Sequence, residues 1–108
     1  MSRRQEREQA MCAALGVPLN NVANGIGDIY FLHSKSMKAI KIGFSFDVSK
    51  RIKQLATGSI GDLQLLGTIR GTTADEKALH KKFSTWRVHG EWFRPVKRLR
   101  DYISREAR

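Results

Sequence analysis

Asp28-Ile29-Tyr30-Phe31-Leu32-His33 and Ile40-Lys41-Ile42-Gly43-Phe44 are the two runs that decide the fold. The first is a short apolar run that reads as a buried strand. The second alternates, with Ile40, Ile42 and Phe44 on one face and Lys41 and Gly43 on the other. The polar stretch Ser34–Lys38 joins them. Two strand-like runs with a short polar connection form a hairpin.

Working outward, Asp47 is an N-cap for a helix that runs to about Thr57 and stops at Gly58. Val48, Ile52 and Leu55 form its apolar stripe. Lys50, Lys53 and Gln54 point away from that stripe, while Arg51 lies on its edge. Leu63–Ile69 reads as a third strand. Thr73 and Glu76 have the spacing of a capping box for a second helix, with Leu79, Phe83 and Trp86 as its core face. Glu76 and His80, four residues apart, share the flank of that face. Gly90–Phe93 reads as a turn or short extended segment. Pro95 suits the first turn of a last helix, with Val96, Leu99, Tyr102 and Ile103 inward.

Upstream, residues 2–15 are expected to form a helix, with Ser2 and Gln5 as its box and Gly16 as its stop. Residues 16–28 read as a loop. The expected organisation is an appendage over 1–26 and one domain over 27–108. The fold class is α+β, a small three-stranded antiparallel sheet flanked by helices, with the extra N-terminal helix.

The chain has 108 residues, room for one domain, and no companion targeting domain is expected. Lysine plus arginine is 20 against 10 acidic residues, a balance of +10. That excess points to a polyanionic partner, nucleic acid before an anionic membrane. No apolar run approaches the ~18 residues of a spanning helix. The N-terminus lacks a signal-peptide core. Cys12 is the single cysteine, so no internal disulfide forms and a reducing cytoplasm is the expected setting. The charge is uneven. Lys35, Lys38, Lys41, Lys50, Arg51 and Lys53 form one basic block. Arg94, Lys97, Arg98, Arg100, Arg105 and Arg108 form another. Between them, residues 54–69 carry one charge, Asp62. The bland reading is two solvated surfaces, but at this net charge a phosphate-binding face is favoured.

Tyr30, Lys41, Arg51 and Glu76 each lie on or near an apolar surface. Brought together, they would make a phosphodiester-cleaving site. Arginine grips two phosphate oxygens, and one carboxylate with waters is an acceptable magnesium site. A tyrosinate or lysine amine beside it activates water. Each residue also has an ordinary structural use: a core aromatic, a solvent-facing strand lysine, a helix-edge stem, a capping-box glutamate. A zinc site from Glu76, His80 and His89 is a weaker alternative.

Asp28-Ile29-Tyr30, then ten residues, then Lys41-Ile42-Gly43 resembles the paired strand motifs of the GIY-YIG nuclease superfamily. Arg51 resembles its helix arginine, and Glu76 its metal-binding glutamate. The KIG motif, the Glu76–His80 pair and the Gly90-Glu91-Trp92-Phe93 ending resemble the branch of phage-type DNA-binding and meiotically up-regulated-gene-type domains. The resemblance covers about residues 27–104. It departs in Asp28 for glycine, Lys41 for tyrosine, and the lack of a late asparagine.

The resemblance implies a DNA endonuclease that hydrolyses phosphodiesters with one Mg2+ or Mn2+ on Glu76. Arg51 would bind the scissile phosphate. Tyr30, aided by Lys41 or His80, would orient or deprotonate water. Gly43 serves the motif backbone, and Glu91 would reach the site from its turn. Lys35, Lys38, Lys50, Lys53, Arg94, Lys97, Arg98 and Arg100 would hold duplex or branched DNA by its backbone. Specificity would come from loops, from a homodimer, or not exist. A module that binds DNA without turnover is the alternative, and a protein docking on acidic partners is a third.

Overall fold

A computed structural model describes residues 25–57 and 61–108. The expected helix over 2–15, most of the loop over 16–28 and the Gly58 stop lie outside them. The described chain folds as α+β. The strands are β1 (Gly27–Ser34), β2 (Ala39–Ser45), β3 (Leu63–Gly71), β4 (Arg87–His89) and β5 (Trp92–Phe93). The helices are α1 (Val48–Leu55), α2 (Thr73–Lys82) and α3 (Lys97–Glu106), with a 3-10 turn at Ser84–Trp86.

The sheet has five strands in the order β3-β1-β2-β5-β4, all pairs antiparallel. This corrects the expectation of three. The two extra strands span three and two residues, too short for a two-residue period to show. They exist because the turn at Gly90, with φ +53°, folds the segment back. Ile40 then pairs with Phe93, and Lys41 with Trp92.

The β1–β2 hairpin forms as its alternation dictates, with Tyr30 opposite Gly43 and Phe31 opposite Ile42. Asp62, at the head of β3, fastens its turn. Its carboxylate accepts from Ser34 Oγ at 2.8 Å and from the Ser36 backbone N–H at 2.7 Å. At the other edge of the sheet, Thr68 and Arg108 exchange two backbone hydrogen bonds of 2.9 Å. Arg108 thus satisfies the outer edge of β3 at Thr68, at a place where unpaired groups would invite intermolecular pairing.

Period two divides the sheet into unlike faces. Ile29 and Phe31 of β1, with Ile40 and Ile42 of β2, pack with Leu79 and Phe83 from α2. Phe93, Leu99 and Ile103 complete that core. The opposite face carries Asp28, Tyr30, Leu32 and Lys41. Val48 and Ile52 of α1 lie there beside Asp28, Leu65 and Thr68. So α1 occupies one side of the sheet, and α2 and α3 the other.

The helix ends follow local chemistry. Asp47 caps α1, accepting from the Lys50 N–H at 3.1 Å. At α2 the capping box is Thr72 with Asp75, one residue earlier than the Thr73–Glu76 spacing predicts. Both threonines and both acids suit the pattern, and the chain closes at the first. The shift frees Glu76 from capping. Pro95 lies just before α3, whose N-cap is Val96. His33, the last residue of the first apolar run, belongs to β1. Among the described residues no helix is long and apolar enough to cross a membrane.

Candidate functional site

The site assembles where β2 loses its neighbour. β5 pairs only with Ile40 and Lys41, so among the described residues the β2 edge from Gly43 onward has no strand partner. At Ile42 the ladder passes to other groups. The Ile42 N–H donates to the Glu91 carbonyl at 2.9 Å, and His80 Nε2 lies 2.8 Å from the Ile42 carbonyl. A carbonyl only accepts, so Nε2 carries the proton that donates to it. His80 also stacks on Phe93, with ring centroids 5.3 Å apart. It ties α2 to the strand edge.

Tyr30 is 1% exposed. Its ring lies over the backbone of Gly43, where an added Cβ would run into the phenol. Glycine is required there by close approach. Burial pushes the Tyr30 hydroxyl above its ordinary pKa of 10.0. The Arg51 guanidinium beside the hydroxyl pulls the other way, while the charges of Glu91 and Glu76 add to the rise. Two helices and a loop thus present their charges to one phenol.

Arg51 is exposed on α1, one turn beyond the Asp47 cap. It lines a concavity of about 360 Å³ with Phe44, Phe46, Lys50 and Gln54. Phe44 and Phe46 meet edge to face at 5.2 Å, giving that concavity an aromatic wall. Sequence reading assigned these two rings no such place, although Phe44 alternates with Gly43 and Phe46 directly precedes the cap.

Lys41 is buried, not a solvent-facing strand lysine. Its Nζ lies 3.4 Å from Glu91 Oε2 and 5.8 Å from the Trp92 ring centroid. The Gly90–Phe93 turn therefore delivers both an anion and an aromatic surface to this lysine.

Glu76 stands in the first turn of α2, its side chain 13% exposed. Burial raises its pKa above the ordinary 4.5, and Glu91 raises it further. His80, Lys41 and Lys77 oppose the rise. His80 Nε2 is 3.9 Å from Glu76 Oε1. The helix N-terminus adds a favourable field for the carboxylate. A half-buried carboxylate that is neither a cap nor in a short ion pair is available to an incoming cation.

Among the described residues, no three His, Cys, Asp or Glu side chains group as a metal cage. His89 is exposed on β4, so the three-ligand zinc alternative has no support. Glu76 has Glu91 in range of its charge, and carboxylate oxygens are the donors a hard cation would take.

The Tyr30 ring thus crosses Gly43 and feels the charges of Arg51, Glu91 and Glu76, Lys41 pairs with Glu91, and His80 binds the Ile42 carbonyl. Asp28, where the motif has glycine, pairs at 3.6 Å with Arg70 across the neighbouring strand. The structure does not bring all the basic residues together. Lys50 and Lys53 are exposed on α1, on one side of the sheet. Lys35 and Lys38 are exposed in the hairpin turn. Arg94, Lys97, Arg98 and Arg100 are exposed on or just before α3, on the other side.

No curated protein and no solved structure matches the chain. The family model of the T5orf172 domain matches residues 27–106. That span contains every described strand and helix, the Tyr30–Gly43 crossing and the Glu76 helix. The domain is of phage type, associated with DNA binding and nucleases. By that match the chain belongs to the T5orf172 domain family.

Proposed function

We propose that this domain is a metal-dependent DNA endonuclease of GIY-YIG type, acting at the β2 edge around Gly43. One observation carries the reading: a buried phenol, Tyr30, has Arg51, Glu91 and Glu76 as its charged surroundings. Each comes from a different element, and a hydrophobic core does not need that convergence.

The residues divide the work by their chemistry. Arg51 offers a planar fork that fits two non-bridging phosphate oxygens. Lys41 is a compact cation for the same phosphate, held in place by Glu91. Tyr30 is neutral at pH 7, as an ordinary phenol is, and its raised pKa keeps it so to higher pH. Its hydroxyl orients the attacking water, and its capacity as a base grows only towards alkaline pH. Glu76 would hold Mg2+ or Mn2+, an ion that supplies charge stabilisation at the scissile phosphate. His80 keeps Glu76 and the β2 edge in register. Lys50 beside the Arg51 concavity, and Lys53 further along α1, contact the flanking DNA backbone, which gives affinity rather than sequence choice.

The test is nicking of supercoiled plasmid at low salt with magnesium, manganese or EDTA, beside Glu76→Ala and Arg51→Ala. Metal-dependent nicking that falls by about 100-fold or more in both variants, about 3 kcal/mol of transition-state stabilisation each, is expected. A wild type that retards the plasmid in a salt-sensitive way without nicking it overturns the hydrolytic reading. It would leave a DNA-binding module, the reading that Lys41 at the motif's tyrosine position favours.

A further inference from the structure

The second basic surface does not belong to that site. Lys82 of α2 and Lys97, Arg98 and Arg105 of α3 rim a groove of about 550 Å³ whose floor includes Tyr102. The floor is rigid, because Tyr102 meets Phe31 and Phe83 edge-on, at 6.4 and 5.4 Å. Two of the cations are held over its ring. Lys82 Nζ lies 4.9 Å from the centroid and Arg105 Cζ 5.9 Å. Asp101 engages Lys97 at 2.6 Å, and Glu106 engages Arg105 through Nε at 3.2 Å. Lys82 and Arg98 have no acidic partner among the described residues. The groove therefore keeps a positive surplus on a fixed aromatic support.

Its position separates it from the candidate active site. Tyr30 and Arg51 lie on the α1 side of the sheet, and Glu76 reaches the site from the first turn of α2, whereas Lys82 is the last residue of that helix. Lys82 and Tyr102 also line a concavity with Ile69 and Arg70 of β3, whereas the active site opens at β2. β1 lies between β2 and β3, so the lateral offset is about 10 Å. A sheet and a helix layer add about 10 Å in depth. Arg98 and Arg105 stand two helical turns apart, about 10 Å along the axis. That is about three nucleotide steps of a strand.

We infer that the α2–α3 groove is a second site for the DNA backbone, so that one protomer holds two DNA segments. The inference rests on DNA being the partner at the first site. Charge selects the occupant: exposed lysine and arginine without acidic partners gain most from a dense row of phosphates.

The test is a sandwich capture. A biotinylated 16-base-pair duplex on beads is incubated with protein and a second, fluorescent duplex at low salt. Wild type is compared with Lys82→Glu/Arg105→Glu, two exposed positions. Thermal melting checks the fold, and sedimentation the oligomeric state. The expected result is capture of the second duplex by wild type, at least fivefold weaker in the double variant. Binding of a single duplex persists in that variant. Equal capture by both proteins overturns the second site and assigns bridging to a dimer. Binding of one duplex without capture also overturns it and leaves the first site standing. If neither protein binds duplex, the DNA reading itself fails. If polyglutamate binds wild type but not the variant, and no second duplex is captured, the groove belongs to an acidic protein partner.

Discussion

The two faces of the β1–β2 hairpin use the same backbone and opposite chemistry. On one, Ile29, Phe31, Ile40 and Ile42 are each at most 1% exposed within the apolar core. On the other, Tyr30 and Lys41 are also buried, but against charges and a glycine. The first face gains stability from every side chain it buries. The second burdens the fold with a desolvated phenol and a backbone that tolerates no Cβ, and the raised carboxylate of Glu76, whose charge reaches that phenol from α2, adds to the burden. Burial alone does not separate core from site; what the buried group faces does. A core substitution should therefore lower stability, and a site substitution should change function with little loss of stability or even a gain.

The largest expected effect breaks the apolar face. Phe83 is fully buried, with Tyr102 at 5.4 Å and Trp86 at 6.3 Å. Phe83→Ala should cost about 3–5 kcal/mol in urea unfolding. Against a typical domain stability of about 5–15 kcal/mol, the variant retains little margin. A loss under about 1 kcal/mol would mean that this side is not the stabilising one.

An intermediate effect sits between the faces. Gly43→Ala drives a methyl into the Tyr30 ring, and overpacking of this kind costs about 1–3 kcal/mol. The phenol is also displaced from Arg51. Plasmid nicking should thus fall by more than the stability change accounts for, with the protein still folded by circular dichroism. Unchanged nicking in a destabilised protein would separate the Tyr30–Gly43 crossing from function.

How much of this was legible in the sequence follows from how local each signal is. The hairpin shows in the alternation of Ile40, Ile42 and Phe44, and the α1 cap in Asp47 ahead of its stripe. Neither needs a distant partner. β4 and β5 do: two or three residues have no period, and only the register against Ile40 and Lys41 makes them strands. The capping box of α2 is ambiguous because adjacent threonines face adjacent acids. Asp62 reaches Ser34 across 28 positions, and nothing local announces that contact. In the site, the motifs single out Tyr30, Lys41, Arg51 and Glu76 by type and order. That Arg51 and Glu76 act on the Tyr30 phenol depends on how α1 and α2 pack against the hairpin, which no local pattern announces. That Glu91 pairs with Lys41 and also raises Glu76 follows from the same long-range folding.

The smallest expected effect has the sign that sharpens the contrast most. The folded pKa of Glu76 is raised by burial and by Glu91, so in the folded protein the carboxyl holds its proton to higher pH than in the unfolded chain. Between the unfolded value near 4.5 and the raised folded value, the native state binds more protons, and stability falls as pH rises. Below that window both states are protonated and the burden is absent; above it the burden is constant. Glu76→Gln keeps the shape and removes the charge. It should match wild type near pH 4 and melt about 1–3 °C higher near pH 7.5, while losing metal-dependent nicking. The pH dependence is the discriminating part, since a change in packing would shift the melting temperature equally at both pH values. A variant less stable than wild type at pH 7.5 would make Glu76 a stabilising group. The contrast between a face that holds the fold and one that burdens it would then fail at its carboxylate.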